Sequence, residues 1–174
     1  MARKELFTTP YMWAWEERVE GEPGKETTFT IVQTAPAAVV LPYREEGEKT
    51  VVCLMKQYRP EVRREVIKTI GGYRTKEDAT DEECVYRNAR EKLGLKFPNR
   101  LEKIGSVAGY TVIKVSVRMF LTKDWRAEKS PAPGCEVFEI SLRAAVDLAK
   151  AGKLSDGATV EPILWLALRE FAGV

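Results

Sequence analysis

Arg87-Asn88-Ala89-Arg90-Glu91-Lys92-Leu93-Gly94-Leu95 reads as the end of a helix, and the rest of the chain organises around it. Traced back, Glu82, Val85, Ala89 and Leu93 fall close to one stripe, and Gly94 is placed to stop the helix as its C′ residue. The spacing therefore predicts a helix over Ala79 to Leu93. Glu77, Asp78, Asp81, Glu82 and Glu83 gather at its start, where acids favour the helix dipole; a relocated metal site is the lesser reading. Arg87 and Glu91 are four apart and can pair along the helix, worth a few tenths of a kcal/mol.

On the amino-terminal side, Ala37-Ala-Val-Val-Leu41 and Thr50-Val-Val-Cys-Leu-Met55 are continuous apolar runs of strand length, separated by polar Arg44-Glu-Glu-Gly-Glu48. Such runs fit strands buried on both faces. Earlier still, Trp13-Ala-Trp15 and Thr27-Thr-Phe-Thr-Ile-Val32 flank Glu20-Gly-Glu-Pro-Gly-Lys25, a hairpin pattern. Beyond the helix, Lys114 to Leu121 alternates, placing Val115, Val117, Met119 and Leu121 on one face. Glu136-Val-Phe-Glu-Ile140 is a further strand. Ser141 is a plausible N-cap for a helix ending near Gly152. Thr159 to Phe171 reads as a largely buried helix, with Trp165 in the core. This order of elements predicts an α+β domain, layered as an α/β/α sandwich.

Composition narrows the chemistry. The 174 residues carry 28 Lys+Arg against 26 Asp+Glu, a net charge of +2, too balanced for a typical nucleic-acid binder. No apolar run approaches the roughly 20 residues of a membrane span, and no apolar stretch follows the charged start as in a secretory signal. Cys53, Cys84 and Cys135 are too few and too scattered for a disulfide framework or zinc knuckle; a reducing cytoplasm suits them. Histidine is absent, which removes His-based triads and His metal ligands. Any reaction must rest on carboxylates, Lys, Arg, Tyr, Cys or a bound metal.

Gly72 to Leu95 resembles a Nudix box, Gly-x5-Glu-x7-Arg-Glu-U-x-Glu-Glu-x-Gly-U with U aliphatic, in degenerate form. Arg87, Glu91, Gly94, Ala89 and Leu95 fit its second half, and the first half carries one extra residue, with Glu77 or Asp78 near the first glutamate. The flanks resemble the ADP-ribose pyrophosphatase branch: Lys56-Gln-Tyr-Arg-Pro60 before the box, Ile104-Gly-Ser-Val-Ala-Gly-Tyr110 after it, and Ala151 to Thr159 ahead of a final helix. The resemblance implies an amino-terminal strand and hairpin subdomain over residues 1–36, a Nudix domain over 37–174, and a homodimer paired through the amino-terminal strands. Two tryptophans there, Trp13 and Trp15, are a large apolar surface for a monomer.

The resemblance also implies a ligand and a site. In the family, glutamates at three positions of one helix face hold magnesium or manganese, which bridges the diphosphate and activates water. Those positions here are Asn88, Glu91 and Lys92, which lack the oxygen ligands and charge a divalent cation requires; Mg or Mn enters only if hydrolysis survives. The loop that carries the branch's water-activating glutamate is here Ser130-Pro-Ala-Pro-Gly134, without a carboxylate. Glu91 is the remaining catalytic candidate. Ligand-binding candidates are Arg59, otherwise a surface ion pair; Gly71 and Gly72, otherwise a turn; and Lys92, otherwise solvated. Tyr11, Trp13 and Phe29 stand near the family's adenine-stacking positions, their plain reading being core packing. The expected function is binding of an ADP-ribose-like nucleoside diphosphate with metal-dependent hydrolysis weak or lost. Alternatives are an active hydrolase yielding AMP and ribose 5-phosphate, and a non-catalytic interaction module.

Overall fold

A computed structural model describes residues 3–20, 23–108, 113–154 and 156–172. Gly21 and Glu22 of the hairpin turn, Tyr110 of the glycine-containing segment and Ser155 lie outside the described residues. In chain order the elements are β1 (Arg3–Thr8), β2 (Met12–Glu20), β3 (Glu26–Thr34), β4 (Ala37–Glu46), β5 (Lys49–Arg59), β6 (Arg64–Lys68), β7 (Ile70–Tyr73) and α1 (Asp81–Asn88). Then follow a π-helical turn (Ala89–Leu93), β8 (Leu95–Lys96), β9 (Glu102–Ala108), β10 (Ile113–Lys114), β11 (Ser116–Lys123), β12 (Arg126–Ala127), β13 (Cys135–Ser141), α2 (Leu142–Lys150) and α3 (Gly157–Ala172). The architecture is mixed α+β.

β4 and β5 leave Gly47 as an antiparallel pair, with Tyr43 opposite Val52. Past that point they part, and residues 64–73 fill the wedge. β6 pairs with β5, while β7 pairs with β4. The other edge of β4 takes β11 in parallel, Ala37 opposite Val117. β9 and β13 flank the result. A second sheet, ordered β1-β2-β3-β10, holds the expected hairpin, with Trp13 opposite Gln33 and Glu20 opposite Glu26. Its fourth strand comes from residues 113–114, so the amino-terminal sheet is completed from far along the chain.

The apolar runs are buried on both faces, as the sequence predicts. Ala38, Val40, Cys53, Met55, Ile70 and Phe120 pack under α1 through Cys84, Val85, Ala89 and Leu93. Their alternate neighbours Leu41, Val52, Leu54 and Leu121 pack under α2 and α3 through Leu142, Ala145, Ile163 and Leu166. Helices thus cover both faces of the larger sheet. Burial pushes the Cys53 thiol up to about 12, consistent with a packing role.

α1 begins where the chain supplies a cap: Thr80 Oγ1 accepts from the Glu83 N–H, and the Glu83 carboxylate accepts from the Ala79 N–H. The helix ends in the expected way, with Gly94 left-handed at φ +64° and its N–H donating to the Arg90 carbonyl. Ser141 caps α2 by accepting from the Ala144 N–H.

Three expectations are corrected. The strand expected over Lys114–Leu121 is two: Ile113–Lys114 joins β3, and the chain changes sheets at Val115 before β11. Glu82 is exposed; the buried stripe runs through Cys84, Val85, Asn88 and Ala89, because the apolar face also recruits an asparagine. Trp165 is not core but 37% exposed, as are Leu164 and Leu168 more fully; the buried face of α3 is carried by Ile163, Leu166 and Ala167. The Arg169 guanidinium covers the Trp165 ring at 5.0 Å.

Candidate functional site

The site is built where β7 passes the π-helical turn that follows α1. A side chain at Gly71 would run into the Ala38 carbonyl of β4, and one at Gly72 into the Asn88 amide and the Lys92 ammonium. Glycine is required here by close approach. Asn88 is 3% exposed; its Nδ2 donates to the Cys84 carbonyl at 2.8 Å. Lys92 Nζ donates to the Gly71 carbonyl at 2.7 Å. The helix is therefore latched to the glycine strand by the Lys92 ammonium and by the Cys84 thiol, which donates to the Gly72 carbonyl at 3.4 Å.

Glu91 stands apart. It is exposed, pairs with Arg87 at 3.3 Å, and does not line the cleft described below. The π-helical turn explains why: closing i→i+5 instead of i→i+4 widens the turn and carries position 91 further from the face shared by 88 and 92.

The residues at the family's metal-ligand positions do not fit a magnesium or manganese ion. Asn88 is enclosed and engaged with backbone, Lys92 is an ammonium, and Glu91 lies on another face. Nor do the acids at the helix start supply a substitute. Asp78, 6% exposed, accepts from Arg87 Nε and Nη2 at 2.8 and 2.7 Å and from the Thr75 N–H. These contacts, the Arg87 hydrogen bonds foremost, hold its carboxyl far below the usual carboxylate range. Asp81 pairs with Arg74 and Arg118. Among the described residues, no group of three or more His, Cys, Asp or Glu is arranged to hold a metal ion. The Ser130–Gly134 loop docks on the helix end, Ala132 N–H donating to the Lys92 carbonyl. Its flanking acids are occupied outside the cleft, Glu128 with Lys96 and Glu136 with Lys56.

A cleft of about 340 Å³ opens beside this latch. Arg59, Lys68 and Lys92 reach it from β5, β6 and the π-helical turn, with Asp156 the carboxylate in its wall. Arg59 also pairs with Glu61 outside the cleft. Burial foremost, helped by the Lys68 and Arg59 charges and opposed by Cys135, lowers the Lys92 pKa to about 8. Lys68 is lowered by burial and by Arg59, against Asp156. Sequence reasoning missed Lys68. The signal was available: Val66, Lys68, Ile70 and Gly72 alternate on a single face, and an ammonium among them is out of place on a buried strand surface.

Of the aromatic candidates, Tyr11 stacks on Tyr73, ring centroids 5.4 Å apart and planes 14° apart. Tyr73 lines the cleft, and Tyr11 lines a neighbouring depression of about 580 Å³ with Arg74 and Lys76. Trp13 is half-buried in the amino-terminal sheet beside Arg3 and Trp15, and Phe29 is exposed on the hairpin opposite Glu17. Neither lines the cleft. The structure thus gathers Arg59, Gly72 and Lys92 in the cleft, with Gly71 beneath Lys92. It leaves Glu91, Trp13 and Phe29 elsewhere.

No helix among the described residues is long and apolar enough to cross a membrane. No protein-family model matches the chain, and no curated protein is significantly similar to it.

Proposed function

We propose that this chain is a Nudix-type protein that binds a nucleoside diphosphate of the ADP-ribose kind without the family's metal, its hydrolysis weak or lost. The observation that carries the reading is Lys92: where the resemblance expects a metal-binding glutamate, an ammonium sits on the glycine strand, in one cleft with Arg59 and Lys68. Three cations against Asp156 in the wall, with Glu61 pairing Arg59 from outside, leave the cleft with an excess of positive charge. A diphosphate diester carries about two negative charges, whose desolvation needs such an offset. The Tyr11–Tyr73 pair at the cleft's rim supports placing the nucleoside end there, since stacking suits any base. The free thiols of Cys53, Cys84 and Cys135 support a cytoplasmic setting.

Calorimetry of ADP-ribose in the presence of chelator tests this. Binding is expected without metal and weakened by salt, and Lys92→Ala is expected to lower affinity about ten-fold or more, as for the loss of a charge-assisted contact. The pH profile has a definite sign. An anion favours the protonated amine, so affinity should fall as pH rises through about 8, where free Lys92 loses its proton. Lys68 and Arg59 disfavour that proton, and Cys135 and Cys84 favour it. In Lys92→Ala the fall should be shallower. Equal affinities for wild type and Lys92→Ala, or no binding by either, would end the reading.

The same proposal includes a homodimer through the amino-terminal sheet. All six residues of β1 are exposed, and Leu6, Phe7 and Phe29 leave apolar surface on that sheet. Sedimentation at micromolar concentration should show twice the 19.7 kDa chain mass; a lone monomer peak would refute it.

A further inference from the structure

Thr34 is the last residue of β3 and stands in the wall of the cationic cleft. It is 7% exposed, and its hydroxyl has no hydrogen-bond partner among the described residues. Thr69, in the same wall, shows the contrast: its Oγ1 donates to the Ala158 carbonyl at 3.0 Å, and its N–H donates to Thr159 Oγ1. The same wall carries the apolar Ala37, Val39, Val115 and Val117. Buried polar atoms without partners are uncommon and call for an explanation. Among the described residues the other such side-chain atom is Gln57 Oε1, which does not line the cleft.

We propose that Thr34 is a ligand-contacting residue, its hydroxyl donating to a phosphoryl oxygen of the diphosphate bound by Arg59, Lys68 and Lys92. This rests on the diphosphate reading above and adds a residue that charge alone does not identify. The hydroxyl is closed off from solvent, so the contact forms by a turn about χ1 between staggered wells as the ligand enters. Thr34 belongs to the amino-terminal sheet, whereas the three cations come from the larger sheet and its helix. A ligand held by both would therefore fasten one sheet to the other.

The test is calorimetry of ADP-ribose and of inorganic pyrophosphate, in chelator, on the full chain carrying Thr34→Val or Thr34→Ser. Valine keeps the shape and removes the donor; serine keeps the donor. Thr34→Val should weaken binding of both ligands about ten-fold, as for a lost hydrogen bond to a charged group, and Thr34→Ser should stay within about two-fold of wild type. Melting of the ligand-free protein supplies a readout that a structural role would move the other way. Removing an unpartnered buried hydroxyl should leave the Thr34→Val melting temperature equal or higher. Should that variant not fold, Thr34→Ala carries the same comparison. Wild-type binding with Thr34→Val equal to it would overturn this inference and leave the diphosphate reading standing. So would weakened binding that comes with a lowered melting temperature. Absence of wild-type binding would overturn both.

Discussion

ADP-ribose incubated with this protein and magnesium is expected to stay essentially intact, with turnover at least a hundred-fold below the usual enzyme range of about 1–1000 per second. Metal-assisted hydrolysis needs carboxylates converging on the cation. Here Asn88 is enclosed against Cys84 and Gly72, Lys92 presents an ammonium, and Glu91 is paired with Arg87 outside the cleft. The loop over Ser130–Gly134 adds no base. Chromatography of AMP release over hours would measure it, and turnover inside the ordinary range would refute it. The double exchange Asn88→Glu with Lys92→Glu should gain metal affinity but only partial activity. It should also lose stability, because a longer side chain at 88 has the Gly72 backbone in its way and the Lys92–Gly71 bond is gone.

Asp78→Ala should be the most damaging single substitution of the acidic cluster, lowering stability by about 3 kcal/mol in denaturant unfolding. That is the lower end for breaking a buried pair, because solvent partly reaches the Arg87 guanidinium. The carboxylate also holds the loop that leads into α1, through the Thr75 N–H. Its pH signature follows from the depressed pKa. The unfolded chain takes up this proton near pH 4, the folded one only well below it, so the contribution is complete above about pH 4 and fades as the solution is made more acid. Asp81→Ala, by contrast, removes longer pairs at 3.3 and 3.7 Å and should cost less than about 1 kcal/mol. Equal losses for the two substitutions would contradict this account.

The strands buried on both faces were legible because Ala37–Leu41 and Thr50–Met55 have no polar interruption. The end of the helical segment that closes with the π-helical turn and the start of α2 were legible because Gly94 and Ser141 are local signals that tertiary contacts reinforce. The split at Val115 was not, since the alternation of β11 runs on unbroken into residues that pair elsewhere. β1 was hidden by having no buried face to give it a pattern. Within the site, Lys92 was readable by position, while the rotation of Glu91 depends on a π-helical turn that no spacing announces. Lys68 and Thr34 join the cleft only because β6 and β3 end beside it, which pairwise strand placement decides.

The parallel pairing of β4 with β11 also sets an order of events during synthesis. Ala37 faces Val117 across eighty residues, so while the ribosome makes the intervening chain one flank of β4 has no partner. The hairpin of β4 with β5, and then residues 64–73, can assemble early from near neighbours. The apolar ribbon Ala37–Leu41 nonetheless presents an open hydrogen-bonding edge until Lys123 has emerged, the condition under which nascent chains pair with one another. Closing so long a loop is slow, and the delay is inherent in the topology. The interval in which residues 74 to 123 are being made is thus the period when that edge of β4 stands open to another chain.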